Sequence, residues 1–497
     1  MTITFNNIPS TLRVPGVYTE VDNSRALANN LVSNPHVALI IGQRTSAGTV
    51  AKEVLTPITR NNLADGYFGV GSQLARMCNF FKNANPYTEL YAIALDDHAS
   101  GVAATGEIDC SSVVASETSV NSTLHLLVAG TKVDVALTSG MTPTEVGAAV
   151  AAAINADTTL PVTASAAAGV VTVTAKNDGE NGNFIDIRFN YYTGQSFPSD
   201  FTTDPTITDM ASGTTNPDVS GIWTLIENEQ FHYIIHPYVD SANLTEIETE
   251  LATRFSPMIN KQGHAITVYG GTAAQCTTLG NARNSAHSSI MGIYNSPTTP
   301  DDMAASLGGI ASYNLNIDPA RPLHYLSLPG VLPPSTGDRF TLAEKEVLLF
   351  DGIATSTVDS GGNVLIERLI TTYQKNALDV PDASYLDIQT LATLSEIRYQ
   401  YNTRMASRFI VPRFKLADDG FPVQGGQYIA TPSTIRDEII SLFHLLYDQG
   451  LIENLDDFKD NLIVERDTTD LNRVNVLIAP DLVNQFRVLA TQIQFIL

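Results

Sequence analysis

One interruption in an otherwise regular pattern limits most strongly what this chain can fold into. Strand-like and helix-like runs alternate after His36, stop near Gly101, and resume at Phe231. Before the break, Val37–Ile41 reads as a buried strand. Ser72 caps a helix carrying Leu74, Met77, Cys78, Phe80 and Phe81 on one face, and Leu90–Leu95 reads as the next strand. After it come Phe231–Val239 (strand), Ser241–Phe255 (helix), Ala265–Tyr269 (strand), Thr272–Asn281 (helix) and Ser288–Tyr294 (strand). Strands separated by helices bury both faces of a sheet, so this alternation predicts an α/β domain.

The interruption has its own composition. Between Gly101 and Ser220 the basic residues are Lys132, Lys176 and Arg188, and Ala, Thr, Ser and Gly dominate. Strands are expected at Thr123–Val128, Lys132–Leu137, Val170–Ala175 and Phe184–Asn190. Thr142 as N-cap, Pro143 in the first turn and Glu145 three residues after the cap open a helix running to Ile154. Residues 101–220 therefore read as a small α+β domain inserted into the α/β domain. Residues 198–217 read as its exit linker.

The ends read differently. Residues 1–35 are punctuated by Pro9, Pro15, Gly16 and Pro35 around one alternating segment, Val17, Tyr18, Thr19, Glu20 and Val21, with no hairpin partner beside it. In the C-terminal third, Thr341 and Glu344 form a capping box, and residues 352–373 read as a β-hairpin turning at Asp359-Ser360-Gly361-Gly362. Ser384 opens a long helix with Ile388, Leu391, Leu394, Ile397, Tyr401, Met405 and Phe409 at helical spacing. A second helix follows Thr431-Pro432 and stops at Gly450. Asn461–Glu465 and Val474–Ala479 read as paired strands. The chain closes on a strand pattern, including Val488, Ala490, Gln492, Ile493 and Phe495, without charge or proline after Arg487. A long apolar edge is a liability unless it pairs. The overall expectation is a multidomain α/β and α+β protein: an N-terminal arm (1–35), an α/β domain (36–100 with 221–335), the insert (101–220), a C-terminal domain (336–482) and a C-terminal strand arm (483–497).

Charge removes whole classes of function. Lys and Arg number 28 against 52 Asp and Glu, a net charge of -24. Such a chain repels phosphate backbones and anionic lipid, so no nucleic acid is expected as a partner. Cys78, Cys110 and Cys276 lack metal or disulfide spacing. The start, MTITFNNIPS, lacks the basic and apolar regions of a secretory signal, and no apolar run approaches the ~20 residues of a membrane span, so no membrane insertion is expected. Phosphate-loop, nucleophile-elbow, HExxH and complete EF-hand motifs are missing, and no cofactor is expected. Gly69-Val70-Gly71 reads as a turn before a capped helix rather than a nucleotide loop. His232, His236 and His264 could suggest a metal, though hydrogen-bonded core histidines are the favoured reading. Asn177-Asp178-Gly179-Glu180-Asn181-Gly182 has the composition of a calcium loop, but Gly179 stands at a ligand position, which favours a hairpin turn.

Several segments resemble the Mu-like contractile tail sheath family. The densest is Phe350-Asp351-Gly352-Ile353-Ala354-Thr355, followed by Asn363-Val364-Leu365-Ile366-Glu367-Arg368 and Thr371-Thr372-Tyr373-Gln374. Others are Asp318-Pro319-Ala320-Arg321-Pro322-Leu323, Leu328-Pro329-Gly330-Val331-Leu332-Pro333, Asp481-Leu482-Val483-Asn484-Gln485, Val14-Pro15-Gly16-Val17-Tyr18 and, in the insert, Ala153-Ile154-Asn155 and Pro161-Val162-Thr163-Ala164. The resemblance implies a structural phage protein with no catalytic residues. It would polymerise around an inner tail tube, contract to drive the tube through the host envelope, and meet baseplate and tail terminator proteins. Assembly in the host cytoplasm and a place in the virion tail follow from the same resemblance. It also implies that the terminal arms add strands to neighbouring subunits. The recipient sheet would hold Leu462, Val464, Val474, Val476 and Ile478, and the tube would meet the helix after Pro432 through Arg436, Ile440, Phe443, His444 and Tyr447. The basic run Arg398, Arg404, Arg408, Arg413 and Lys415 is a rival tube contact unless those arginines pair within the subunit. The other classes to set against this are an unrecognised α/β enzyme and a non-contractile coat or adhesin protein.

Overall fold

Consecutive apolar residues in a strand need cover on both faces, and the body of this protein supplies it. In the computed structural model, residues 16, 19, 31–113, 122–199, 201, 203–422 and 427–496 are described. The chain divides into a larger unit, residues 35–392 with 485–497, and a smaller one, residues 1–34 with 393–484. The body strands are β1 (Val37–Gln43), β2 (Thr56–Pro57) and β3 (Glu89–Leu95). The insert follows with β4 (Ala103–Asp109), β5 (Ser122–Val128), β6 (Thr131–Leu137), β7 (Val162–Ala167), β8 (Val170–Asp178), β9 (Ile187–Phe189) and β10 (Thr206–Ala211). The body resumes with β11 (Tyr233–Ile235), β12 (His264–Gly270), β13 (Ser288–Ile293), β14 (Ile353–Val358) and β15 (Val364–Arg368).

The large sheet has the order β15-β14-β13-β12-β11-β1-β3-β2. Its middle is parallel, and β2 and β15 close the two ends antiparallel. Alternate side chains of β1 enter different cores, as the two-residue period requires. Ala38 and Ile40 pack with α2 (Gln73–Ala84), which follows the short α1 (Leu63–Phe68), and Leu39 and Ile41 pack on the opposite side. The insert's helix is α3 (Pro143–Ala156). Around the body lie α4 (Ser241–Phe255), α5 (Ala273–Asn281), α6 (Pro300–Ile317) and α7 (Leu342–Phe350). Helix α6 shares the core of α2, whereas α4 lines the opposite face with Ile247 and Leu251. Gly308 lets α6 lie close against β11, since a Cβ there would stand 2.3 Å from Ile235 Cγ1.

The sheet moves one boundary that the sequence suggested. The hairpin β14–β15 does not belong with the C-terminal elements. Ile290 and Met291 of β13 pair in parallel with Ile353 and Ala354 of β14, so the division falls after residue 392 rather than at 335. Shorter corrections follow. Only Tyr233–Ile235 of the segment 231–239 is strand, and the long helix starts at Ile388, not Ser384.

The insert carries its own core of Val146, Val150, Ile154, Leu124, Leu126, Val171 and Val173. Its sheets are β10-β4-β8-β7 and β6-β5-β9. The segment read as an exit linker contains β10, which pairs antiparallel with β4. The segment read as a hairpin turn at 177–182 is instead the end of β8 followed by a 3-10 turn, Glu180–Phe184. One buried guanidinium ties the insert to the body. Arg76 on α2 donates to Asp302 on α6 and to the Ala129 and Thr159 carbonyls of the insert, the last two at 3.3 Å. Lys176 Nζ adds bonds to Val70 O at 3.2 Å and Thr158 O at 2.7 Å.

The smaller unit contains the end of α8 (Ile388–Met405), β16 (Lys415–Leu416) paired with β17 (Ile429–Ala430), α9 (Pro432–Asp448), β18 (Ile452–Glu453), α10 (Leu455–Asn461), β19 (Ile463–Arg466), β20 (Val474–Leu477) and β21 (Asp481–Leu482). The Thr431 hydroxyl accepts the Thr434 N–H and Pro432 fills the first turn of α9. Ile439, Leu442, Phe443 and Leu446 form its buried stripe, and Phe443 stacks on Phe458 of α10 at 4.0 Å.

The histidines behave as core residues. His36 and His232 stack at 4.3 Å between ring centroids, and His264 Nε2 lies 2.8 Å from the Ser289 hydroxyl. Burial, with His287 adding, holds the His264 imidazole down to about 3, so it folds neutral. The unfolded chain takes up that proton below about 6.5, which weakens folding as pH falls. His264→Gln removes this term. The stability it loses at pH 7.5 should shrink by about 1.4 kcal/mol at pH 5.5. Chemical denaturation at the two values measures it, and a pH-independent difference would contradict a buried neutral imidazole.

Candidate functional site

A parallel sheet whose strand order reverses leaves a crevice at the carboxyl ends of the strands beside the reversal, where α/β proteins ordinarily take ligands. Here the reversal lies between β1 and β11, and the insert fills the end of β1. Gln43 Nε2 donates to Asp97 Oδ1 at 2.7 Å and to Asp178 O at 2.6 Å. Asn177 Nδ2 donates to Arg44 O at 2.9 Å and Asp97 Oδ1 at 3.0 Å, while its Oδ1 accepts the Gln73 N–H at 3.0 Å. The remaining cavity there is about 30 Å³, on the scale of a single water. Gly69 and Gly71 have φ of 91° and 77°, and Gly71 leads into the Ser72 cap as a plain turn. Among the described residues, no three His, Cys, Asp or Glu side chains converge as a metal site requires. Cys78, Cys110 and Cys276 are buried free thiols.

The exposed features lie at the chain's end and in the smaller unit. From Phe486 to Ile496 the chain makes no backbone ladder. Ala490 and Gln492 are exposed there with large apolar side chains: Val488 is 80% exposed, Ile493 85% and Phe495 79%. The root of this segment is fixed. Arg487 Nη2 donates to Asp387 Oδ2, and Asp387 also accepts from Arg368 Nε at 3.2 Å. Sequence spacing marked Arg487 only as the last charge; its partner is 100 residues away and had no local signal.

The strands β19 and β20 pair antiparallel with each other and with nothing else among the described residues. The register brings Val464 opposite Val476 and Arg466 opposite Val474. Ile463 and Leu477 face each other at 50% and 59% exposure, an apolar pair left without cover. Asp467 organises the connecting loop by accepting the Asp470 N–H at 2.9 Å, the Asn475 amide at 2.9 Å and the Thr469 N–H at 2.7 Å, which together hold its carboxyl down to about 2. Of the residues expected in this sheet, Val464, Val474 and Val476 lie in it. Leu462 precedes β19 and is buried, and Ile478 follows the end of β20. In the N-terminal arm, Thr19 is described and exposed, while Val17, Tyr18, Glu20 and Val21 lie outside the described residues.

Helix α9 presents His444 and Tyr447 outward and Ile440 half-buried. Two of its expected contact residues are otherwise engaged. Arg436 donates to the Lys459 carbonyl. Phe443 is fully buried against Phe458, because it falls on the stripe of Ile439 and Leu446 rather than on that of Ile440 and Tyr447. It is core and not a surface contact. In the rival basic run, Arg404 and Arg408 both donate to Glu438 of α9, the latter at 3.1 Å. These two arginines are paired within the subunit.

Residues 212–372 match the family model described as the phage tail sheath protein central domain, and residues 380–496 match that of the phage tail sheath C-terminal domain. The Mu-like prophage FluMu tail sheath protein of Haemophilus influenzae is 39% identical over 501 residues, covering 100% of each chain. Among solved structures, a sheath tail protein from Desulfitobacterium hafniense aligns at 13% identity and a TM-score of 0.47, covering 94% of this chain and 100% of that one. A chain of the anti-feeding prophage baseplate in the contracted state aligns at 12% identity and 0.49, covering 97% and 99%.

Core and surface on α9 separate by experiment. Phe443→Ala should cost about 3–5 kcal/mol in denaturant unfolding. Tyr447→Ala, exposed, should cost under about 0.5 kcal/mol. Equal costs would contradict the assignment of faces.

Proposed function

We propose a working mechanism from one premise: this chain belongs to the phage tail sheath family and is a structural subunit, not an enzyme. In the mechanism, subunits polymerise helically around the inner tail tube. Each donates its C-terminal segment as an added strand to the β19–β20 sheet of a neighbour, and the N-terminal segment around Thr19 serves the same linkage.

The observation that carries this reading is the exposed, ladder-free run of Phe486, Val488, Leu489, Ile493, Phe495 and Ile496. Helix α9 backs β19, and a third strand adds a further ladder to this two-stranded sheet. Strand addition supplies affinity through backbone bonds and specificity through alternate side chains. Each bond contributes roughly 0.5–1.5 kcal/mol net. Each apolar side chain covered adds about 1.5–3 kcal/mol. The uncovered pair Ile463 and Leu477 is an apolar surface for the incoming side chains.

Contraction then needs no nucleotide. An extended packing relaxes to a larger interface while the exchanged strands keep neighbours connected. The outward face of α9, with Ile440, His444 and Tyr447, is the tube-facing surface in this reading, and the ends of the sleeve meet baseplate and terminator proteins. The subunit is made in the host cytoplasm, functions in the virion tail, and delivers the genome by driving the tube through the host envelope. The insert, residues 101–220, lies on the outside with its acidic surface toward solvent.

Ending the chain at Arg487 keeps the Asp387 anchor and removes only the free segment. The shortened subunit should melt as the full chain does, yet electron microscopy should show no sleeves. Normal sleeves from it would overturn the exchange of the C-terminal strand. Uniform small particles from the full chain would favour a non-contractile coat.

A further inference from the structure

A subunit that polymerises must keep its remaining strand edges from pairing at random, because an open edge is a template for any other chain. Among the described residues the insert's two sheets have four edges. Strand β10 carries Asp209 and a register shift between Thr208 and Ala211 against β4. Strand β6 carries Lys132 and Asp134, 2.7 Å apart and exposed. Strand β9 is three residues long and carries Arg188. Bulge, charge and shortness are the ordinary means of blunting an edge.

Strand β7 has none of them. Its sequence, Val162-Thr163-Ala164-Ser165-Ala166-Ala167, holds no charge and no proline, and its register against β8 is unbroken. Thr163, Ser165, Ala166 and Ala167 are exposed. The ladder to β8 uses one side of the strand only. On the other side, an amide from the last turn of α3 takes the place of a neighbouring strand. Asn155 Nδ2 donates to Ala164 O at 2.7 Å, and Asn155 Oδ1 accepts the Ala164 N–H at 2.9 Å. The side-chain amide thus engages donor and acceptor of one residue as a paired peptide unit would. An aspartate could not donate, and a serine is too short to span both groups.

We propose that Asn155 is an edge cap, which closes the uncharged edge of β7 to a strand from a second copy of this chain. Asn155 is itself exposed, so it does not serve the insert's core. Its two bonds satisfy backbone groups that another chain would otherwise satisfy. Strand pairing in the polymer is thereby kept away from the insert. This inference does not depend on where the terminal arms pair.

The test uses the full-length chain. Hydrogen exchange of the segment containing Ala164 should run roughly tenfold faster in Asn155→Ala, the loss of about one hydrogen bond. Under identical conditions the variant should also collect into side-by-side aggregates in electron microscopy and sedimentation. Adding Ala166→Lys restores a charge to the edge and should return the double variant to wild-type behaviour. Asn155→Asp, which keeps the acceptor, should retain the exchange protection of Ala164. Unchanged protection in Asn155→Ala, association no greater than wild type, or association that survives Ala166→Lys would each overturn the proposal.

Discussion

Backbone hydrogen bonding at strand edges is the constraint on which this architecture depends. Every strand offers two rows of donors and acceptors, and each row must be paired, blunted or left to water. The body sheet closes its parallel middle with β2 at one end and β15 at the other, both antiparallel. The insert blunts its edges with charge, a bulge and the Asn155 amide. Among the described residues β19 and β20 pair only with each other, and the segment after Arg487 is strand-like sequence without a ladder.

The same economy explains how a doubly wound sheet serves as a building block. The crevice at the end of β1 is occupied by Gln43, Asp97, Asn177 and Asp178 bonding to one another. Where other α/β proteins hold a ligand, this one holds its own insert. Arg76 and Lys176 extend that grip along α2 and the turn before it. The buried Arg76–Asp302 pair gains from the insert's carbonyls, which satisfy the guanidinium donors that the carboxylate leaves over. The carboxylate side is less complete: Asp302 Oδ1 is buried without a partner among the described residues, and burial raises the Asp302 pKa to about 6. Body and insert thus belong to one compact unit.

What the sequence showed follows from the range of each signal. Caps are local, so Thr142 with Glu145, Thr341 with Glu344, Ser72, and Thr431-Pro432 placed helix starts correctly. That β19 pairs with β20 was legible because only a short loop separates the two strands; their register was not. Pairing between Ile290 and Ile353 is not local, and nothing in the hairpin's own pattern says which sheet it joins. Strand β10 was hidden by a Thr- and Asp-rich sequence that resembles a linker until β4 lies beside it. Phe443 was legible and misread: its spacing of four from Ile439 places it on the buried stripe. Helix α8 starts at Ile388, just after Asp387, whose carboxylate bonds Arg368 and Arg487 across long sequence separations.

The central claim is that the final strand of one subunit completes the β19–β20 sheet of another. A density map of the assembled protein, resolved well enough to trace residues 488–496, tests it directly. The account predicts these residues as an extended strand bonded along β19 or β20 of a different copy, with Ile463 and Leu477 covered. Residues 488–496 lying on their own subunit, with both outer edges of that hairpin bare, would contradict it.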